Sequence, residues 1–387
     1  MHVISISLKD FRNLEDITLT FDAGVNIFTG PNGSGKTNLL EAIATLCLGR
    51  SQRQNASDQA LINSASDSYR LTGEISTEQR VCTLAVAFQA GRGKKITLDE
   101  QPAKVSALFR EFAVVSLLPE DSAIIFGPPA VRRNFLDLHL SQASASYLDD
   151  LSHYHRTLTQ RNSHLKQFGI DDHGTPFDEQ LIDYGSRITH TRALFLDIIA
   201  KSGGSIYQIL APDSILHCEY FSSALLSSID RRNHSSGYVG AEISGTTTNF
   251  VKMDIDHIKN SYIDRLDRRR SQEAMRETTL VGPHRDDFDM TIDNLPARTH
   301  SSQGEWRCAA IALKLAAFGY LKEKYGSAPL LLLDEVFAEL DEDRQRALVG
   351  AFGDYKQLFL TTALSPPQSL ADKAAIFHVS HGRVCRQ

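Results

Sequence analysis

The sequence predicts an α/β protein whose head is assembled from both ends of the chain, with a mainly helical arm inserted between them. Three observations predict it. Residues 25–29 form a short apolar strand that runs straight into a glycine-rich loop and then a helical pattern. Residues 329–333 form a second apolar strand, which stops at Asp334 and Glu335. Between them the pattern is mainly helical, so the expected division is 1–129 with 281–387 for the head and 130–280 for the arm.

The elements follow in order. Ile4, Ile6 and Leu8 alternate with Ser5, Ser7 and Lys9, the period of a half-buried strand. A second alternating run covers 17–21. From Lys36 the period becomes helical, with Leu39, Leu40, Ile43, Leu46 and Cys47 on one face. Residues 69–98 read as three strands with a turn at Gly91, Arg92 and Gly93. A buried strand over 113–118 ends at Pro119. The character changes after Gly127, Pro128 and Pro129. Residues 130–202 read as helix, with 144–168 as one long helix and Gly203 and Gly204 as its breaker. Residues 222–250 are rich in Ser, Thr and Gly and read as loop, and 254–277 as a charged helix. A helix over 303–324, the strand before Asp334, a helix over 343–352 and strands at 357–360 and 376–379 complete the chain.

Bulk properties bound the function. A chain of 387 residues holds one large or two modest domains. A net charge of -6 argues against a protein that is basic throughout, as many nucleic-acid binders are, and leaves room for a local basic patch. Cys47, Cys82, Cys218, Cys308 and Cys385 are scattered and form no CxxC pair. That implies neither a disulfide framework nor a zinc site, and suits a reducing cytosol. The N-terminus has no signal-peptide pattern, and no apolar run approaches the roughly 20 residues of a membrane span. A soluble, cytoplasmic protein is expected.

The chemistry is concentrated in a few motifs. Gly30, Pro31, Asn32, Gly33, Ser34, Gly35, Lys36 and Thr37 match G-x-x-x-x-G-K-[ST] in full, with Asn38 next. Glycines let backbone N–H groups turn inward around phosphate, and the following helix offers its positive end. Lys36 is placed to reach the β- and γ-phosphates of ATP, and Thr37 to hold Mg²⁺. Asp334 at a strand tip suits the same Mg²⁺, and Glu335 suits orientation or deprotonation of the attacking water. About three hundred residues separate Lys36 from Asp334, a spacing typical of ABC-type ATPases with arms. Ser301, Ser302, Gln303, Gly304 and Glu305 resemble the ABC signature L-S-G-G-Q, and they also read as a capping box at a helix start. Glu339, Leu340 and Asp341 resemble the D-loop. Thr362 stands where transporter ATPases carry a switch histidine, and Pro119, Glu120 and Asp121 stand where a Q-loop glutamine is expected. Both departures point to slow or differently assisted hydrolysis.

The chain resembles the RecF family of bacterial recombination-repair ATPases, relatives of SMC and Rad50 heads. Matching segments include Phe11, Arg12 and Asn13; GPNGSGKTNLLEAI; Ser51 to Arg53 with Leu61 and Ile62; LLPEDSAIIFGPPAVRRNFLD; Tyr154 to Arg156 with Gln160 to Asn162; Leu280 to Asp286; SSQGE; and LLLLDEVFAELD. The resemblance implies that Arg12 and Asn13 lie beside the nucleotide. It implies an ATP-dependent head-to-tail homodimer in which Ser302, Gln303 and Gly304 close on the partner's ATP. It also implies weak ATP hydrolysis, binding to double-stranded or gapped DNA or a single/double-strand junction, a link to RecR and RecO, and help in loading RecA. No family pattern extends over 222–250. The densest basic spots, Arg132 with Arg133 and Arg268 with Arg269 and Arg270, are the candidate DNA contacts. A transporter nucleotide-binding subunit and an arm-bearing nuclease are the competing readings; the Thr362 position opposes the first, and the lack of room for a metal-carboxylate domain opposes the second.

Overall fold

The computed structural model describes residues 1–53, 57–171, 174–225, 254–338 and 340–387. In chain order the first part supplies β1 (His2–Lys9), β2 (Ile17–Thr20), β3 (Gly24–Thr29), α1 (Lys36–Leu48), β4 (Ser68–Ser76), β5 (Val81–Gln89), β6 (Gly93–Leu98), β7 (Gln101–Pro102), α2 (Val105–Glu111) and β8 (Val114–Leu117). The middle supplies α3 (Ala123–Phe126), α4 (Pro129–Ala143), α5 (Ala145–Phe168), α6 (Asp178–Leu210), β9 (Leu216–Phe221), α7 (Ile255–Arg276), β10 (Asp287–Ile292), β11 (Leu295–Pro296), α8 (Ala297–His300) and α9 (Gln303–Tyr325). The last part supplies β12 (Leu330–Asp334), α10 (Glu342–Ala351), β13 (Gln357–Thr362), α11 (Gln368–Ala371), β14 (Ala374–Ser380) and β15 (Arg383–Arg386). Two compact units result. One joins Met1–Asp121, Ile209–Pro212 and Ala310–Gln387, and is called the head below; the other joins Ser122–Gln208 and Asp213–Ala309, and is called the arm.

The head holds two six-stranded sheets. The first has the order β15-β14-β3-β13-β12-β8 and is parallel except for β15. Every residue of β12 and β13 is buried, as central strands covered on both faces must be. The second sheet, β2-β1-β4-β5-β6-β7, is antiparallel and alternates. One cross-strand row, Leu8, Leu71, Val86 and Ile96, is buried; the next, Lys9, Arg70, Ala87 and Lys95, faces outward. Helix α1 packs against strands of both sheets. Gly73 allows this: a Cβ there would sit 2.4 Å from the Ser5 carbonyl oxygen and 2.7 Å from Leu46 of α1. Strand β15 was not expected from the sequence. It returns on β14 through a tight turn at His381 and Gly382, both at positive φ.

The arm is helical but carries a three-stranded sheet, β11-β10-β9. Strand β10 pairs along its length with β9, and Asp287 at its start is bonded to Arg132 of α4. Residues 282–309 therefore fold with the middle of the chain, and the boundaries fall at 121 and 309 instead of 129 and 280. Gly203 and Gly204 do not end a helix; both lie inside α6. A Cβ on Gly204 would stand 3.4 Å from the Leu216 carbonyl oxygen of β9, so close packing against a strand accounts for a glycine there. Long helix α5 starts where expected, with Ser144 capping the Tyr147 N–H. The expected loop at 222–250 lies, from 226 on, outside the described residues.

Candidate functional site

Parallel pairing builds the candidate site. Strand β13 lies between β3 and β12, with Asp334 in register with Thr361 and Thr361 in register with Phe28. The phosphate loop after β3 and the carboxylates ending β12 therefore emerge at the same edge, the carboxyl ends of a parallel sheet. The loop bends through Gly30, Gly33 and Gly35, all at positive φ. At Gly30 any side chain is excluded, since a Cβ would fall 2.1 Å from the Val379 carbonyl oxygen. Gly35 is the N-cap of α1 and offers no side-chain cap, which leaves the first-turn N–H groups facing the loop as an anion cradle. Ser34 Oγ is buried there and makes no hydrogen bond within the described protein.

The charged groups close the site. Lys36 is 5% exposed, and its Nζ donates to the carbonyls of Gly30 at 2.8 Å and Pro31 at 3.1 Å. It stands 3.1 Å from Glu335 Oε1. Glu335, at φ 47°, also accepts from the Ala363 N–H at 3.1 Å. Asp334 Oδ1 accepts from the hydroxyls of Thr37 at 2.8 Å and Thr361 at 2.6 Å. Burial holds the Asp334 carboxyl above its ordinary pKa, and the two hydroxyls oppose that shift. Thr37 and Asp334 together offer hard oxygen donors at hydrogen-bonding separation, a set that fits Mg²⁺.

On the loop's outer side Asn38 donates to Asn13 Oδ1 at 2.7 Å, and Asn13 Nδ2 reaches the Gly33 carbonyl at 3.4 Å. Asn32 and Pro31 are exposed at the loop tip. Arg12, at φ 55°, forks onto Glu41 of α1 at 3.1 and 3.0 Å. Ser51 donates to Glu41 at 2.6 Å, and Arg53 lies 3.8 Å from it. Two participants here were not foreseen. Thr361 lies one residue past the strand expected at 357–360 and has no role in the sequence reading. Glu41 had a legible signal: a carboxylate four residues after Thr37, set between Leu40 and Ala42 and sharing the Thr37 face.

The remaining expected residues fall elsewhere. Asp341 is the exposed N-cap of α10, accepting from the Arg344 N–H at 2.8 Å; its neighbour Glu339 lies outside the described residues. In the arm, exposed Ser302 forms the expected capping box. Its N–H and Oγ donate to Glu305 Oε2 at 2.7 and 2.8 Å, and Glu305 N–H returns a bond to Ser302 Oγ at 3.3 Å. Gln303 and Gly304 open α9 behind it. Arg132 is not a DNA contact. It is fully buried, forked onto Asp287 at 2.6 and 2.9 Å, and donates to the Gly127 carbonyl. Asp137 on the same helix is bonded to Arg192 and Tyr147. Arg133 is half-buried and donates to the Asp286 carbonyl at 2.8 Å. On α7, Arg268 is exposed, while Arg269 and Arg270 are half-buried beside Gln272 and Asp267.

Comparison with known proteins places this geometry. Residues 2–383 match the model of the RecF/RecN/SMC N terminal domain. The DNA replication and repair protein RecF of Streptococcus agalactiae serotype V is 34% identical over 99% of this chain and 98% of its own length. The chain belongs to the RecF family. A RecF of the same description from an Exiguobacterium species is also 34% identical, over 99% of both chains. A solved structure of the recombination mediator protein RecF with ATP, described as of the RecFOR pathway, superimposes with a TM-score of 0.84 at 28% identity, covering 100% of this chain and 97% of that one. An Smc head from Pyrococcus furiosus shares the fold alone, with a TM-score of 0.53 at 14% identity. The expected fold class, an ABC-type ATPase head of the SMC-like kind, is thereby established. Among the described residues no helix is long and apolar enough to cross a membrane.

Proposed function

We propose that this chain is an ATP-dependent DNA-binding repair protein of the RecF type: it binds ATP with Mg²⁺ at the loop Gly30–Thr37, dimerises head to tail, and hydrolyses ATP slowly under the influence of DNA. The observation that carries the reading is the convergence of Lys36, Thr37, Asp334 and Glu335 at one edge of the parallel sheet. A RecF solved with ATP supports it. Ligands on DNA are double-stranded, gapped or junction structures; RecO and RecR are the partners, RecA loading the outcome, and the cytoplasm the setting.

The residues divide the work. The N–H groups of the loop and of the first turn of α1 bind the phosphates. Lys36 exchanges its two carbonyls and Glu335 for the β- and γ-phosphate oxygens. That exchange releases Glu335, still held by Ala363 N–H, to orient a water in line with the γ-phosphate and accept its proton. The bond formed is water oxygen to γ-phosphorus, and the bond broken is γ-phosphorus to the ADP oxygen. Thr37 and Asp334 would hold Mg²⁺, which would supply neutralisation of phosphate charge. Ser302 of a second copy supplies a hydroxyl and a helix N-terminus to the same phosphate. Arg268, Arg269 and Arg270 remain candidate DNA contacts on α7.

Sizing of the protein with ATP, ADP and no nucleotide, with and without gapped DNA, tests the whole scheme. A dimer that forms with ATP is the expected result. Protein that ignores both duplex and gapped DNA at low salt, with and without ATP, removes the basis of the repair reading.

A further inference from the structure

The head carries a cationic row that the nucleotide site does not use. On the outward face of the antiparallel sheet, Lys9 of β1 lies in register with Arg70 of β4, Arg70 with Ala87 of β5, and Ala87 with Lys95 of β6. All three cations are exposed, and exposed Arg92 stands at the adjoining β5–β6 turn. With half-buried Lys94 they line a recess of about 510 Å³ in which Asp10 is the one acid. Lys94 is ion-paired with Asp58 at 2.7 Å; among the described residues Lys9, Arg70, Arg92 and Lys95 meet no carboxylate.

Like charges in directly opposite and next-nearest cross-strand positions repel, so this row costs stability instead of adding to it. The chain as a whole is acidic, at -6, so the row is a local departure from the general charge. Four strands at about 4.8 Å spacing make the row about 14 Å long. A duplex presents one phosphate charge per about 1.7 Å of axis, so such a row meets several phosphates wherever it lands. Single-strand binding ordinarily adds exposed rings for base stacking. Here Tyr69 is buried and Phe88 half-buried, and no large exposed apolar side chain lines the recess to anchor a protein partner.

We infer that Lys9, Arg70, Arg92 and Lys95 form a sequence-independent contact surface on the head for the phosphate backbone of duplex DNA. This rests on the DNA-binding reading above and adds a surface that neither arm cluster supplies. The experiment is a salt titration of duplex binding, in ATP, for the wild-type protein and the double variant Arg70→Glu with Lys95→Glu. Affinity is expected to fall on the order of ten- to a hundred-fold at 0.1 M salt, and the slope of log affinity against log salt to shrink by about 2. ATP binding should stay at the wild-type level, because neither residue touches the loop. Wild-type binding with an unmoved variant overturns this surface alone; wild-type protein that binds no duplex overturns the repair reading and this surface together. Lysine acetylation of the wild-type protein gives a second measurement that needs no variant. Duplex should protect Lys9 and Lys95, and an acidic polypeptide such as polyglutamate should not. Protection by the polypeptide alone assigns the row to a protein partner and overturns the inference.

Discussion

At the residue scale the site turns on two hydroxyls that oppose the effect of burial on one carboxylate. Burial pushes the Asp334 pKa up, and the hydroxyls of Thr37 and Thr361 pull it down. Thr361 has a second task, since its Oγ also accepts from the Glu335 N–H at 3.0 Å and so steadies both carboxylates. Thr361→Val should therefore leave ATP affinity near wild type, because Lys36 and the loop are untouched. Its kcat should fall on the order of tenfold, the cost of one hydrogen bond to a charged group. The sign of the pH effect follows. Removing a donor raises the Asp334 pKa further, so the acid limb of the pH–rate profile should move to higher pH. Thr361→Ser should restore both. A valine variant with an unshifted limb would show that Thr361 serves packing only.

At the element scale the arm is held by buried polar ties among α4, α5, α6, α7 and the turn at 282–286. Arg161 of α5 joins Asp178, Glu273 and Thr279. Asp286 accepts from Thr189, Tyr220 and Ser223. His284 accepts at Nδ1 from Tyr154 at 2.6 Å while Nε2 faces the Thr279 carbonyl at 3.1 Å, which assigns the neutral ring with its proton on Nε2. Burial, with Arg285, Arg133 and His155 near by, lowers its pKa to about 4. Between pH 6.5 and about 4 the unfolded chain takes up a proton that the folded arm refuses, so acid favours unfolding by up to about 3 kcal/mol. Compared with His284→Gln, the wild-type lead in urea denaturation should be full above pH 6.5 and shrink steadily toward pH 4; a constant lead would refute this assignment. None of these ties was legible in the sequence. Period and punctuation exposed α1, α5, α9, β12 and the phosphate loop, because each obeys a local rule. The stop at Gly203 and Gly204, the surface placement of Arg132 and the boundary at 280 failed for one reason. Each depends on a partner distant in the chain: Leu216 for Gly204, Asp287 for Arg132, and β9 for β10.

At the scale of the whole molecule the proposed catalyst is a pair of chains, and two substitutions separate its halves. In the proposed scheme Lys36 meets phosphate in its own head, so Lys36→Ala should weaken ATP binding and, with it, dimerisation. Ser302 is exposed at the start of α9, with its side chain bonded to Glu305 three residues on. Ser302→Arg should leave ATP bound as in wild type yet keep the protein monomeric, because a long cation replaces the small cap that must approach the partner's phosphate. The single tryptophan offers an independent reading of that approach. Trp306 donates its backbone N–H to the Ser302 carbonyl at 3.0 Å and its ring N–H to the Ala297 carbonyl at 2.7 Å, and its ring lies tilted against Phe126, centroids 4.8 Å apart. Its fluorescence should change with ATP in wild type, through dimerisation, and stay unchanged in the Ser302→Arg protein. Sizing that finds the Ser302→Arg protein dimeric with ATP would place the signature segment outside the partner's site, and the head-to-tail scheme would fall while ATP binding by the loop still stood.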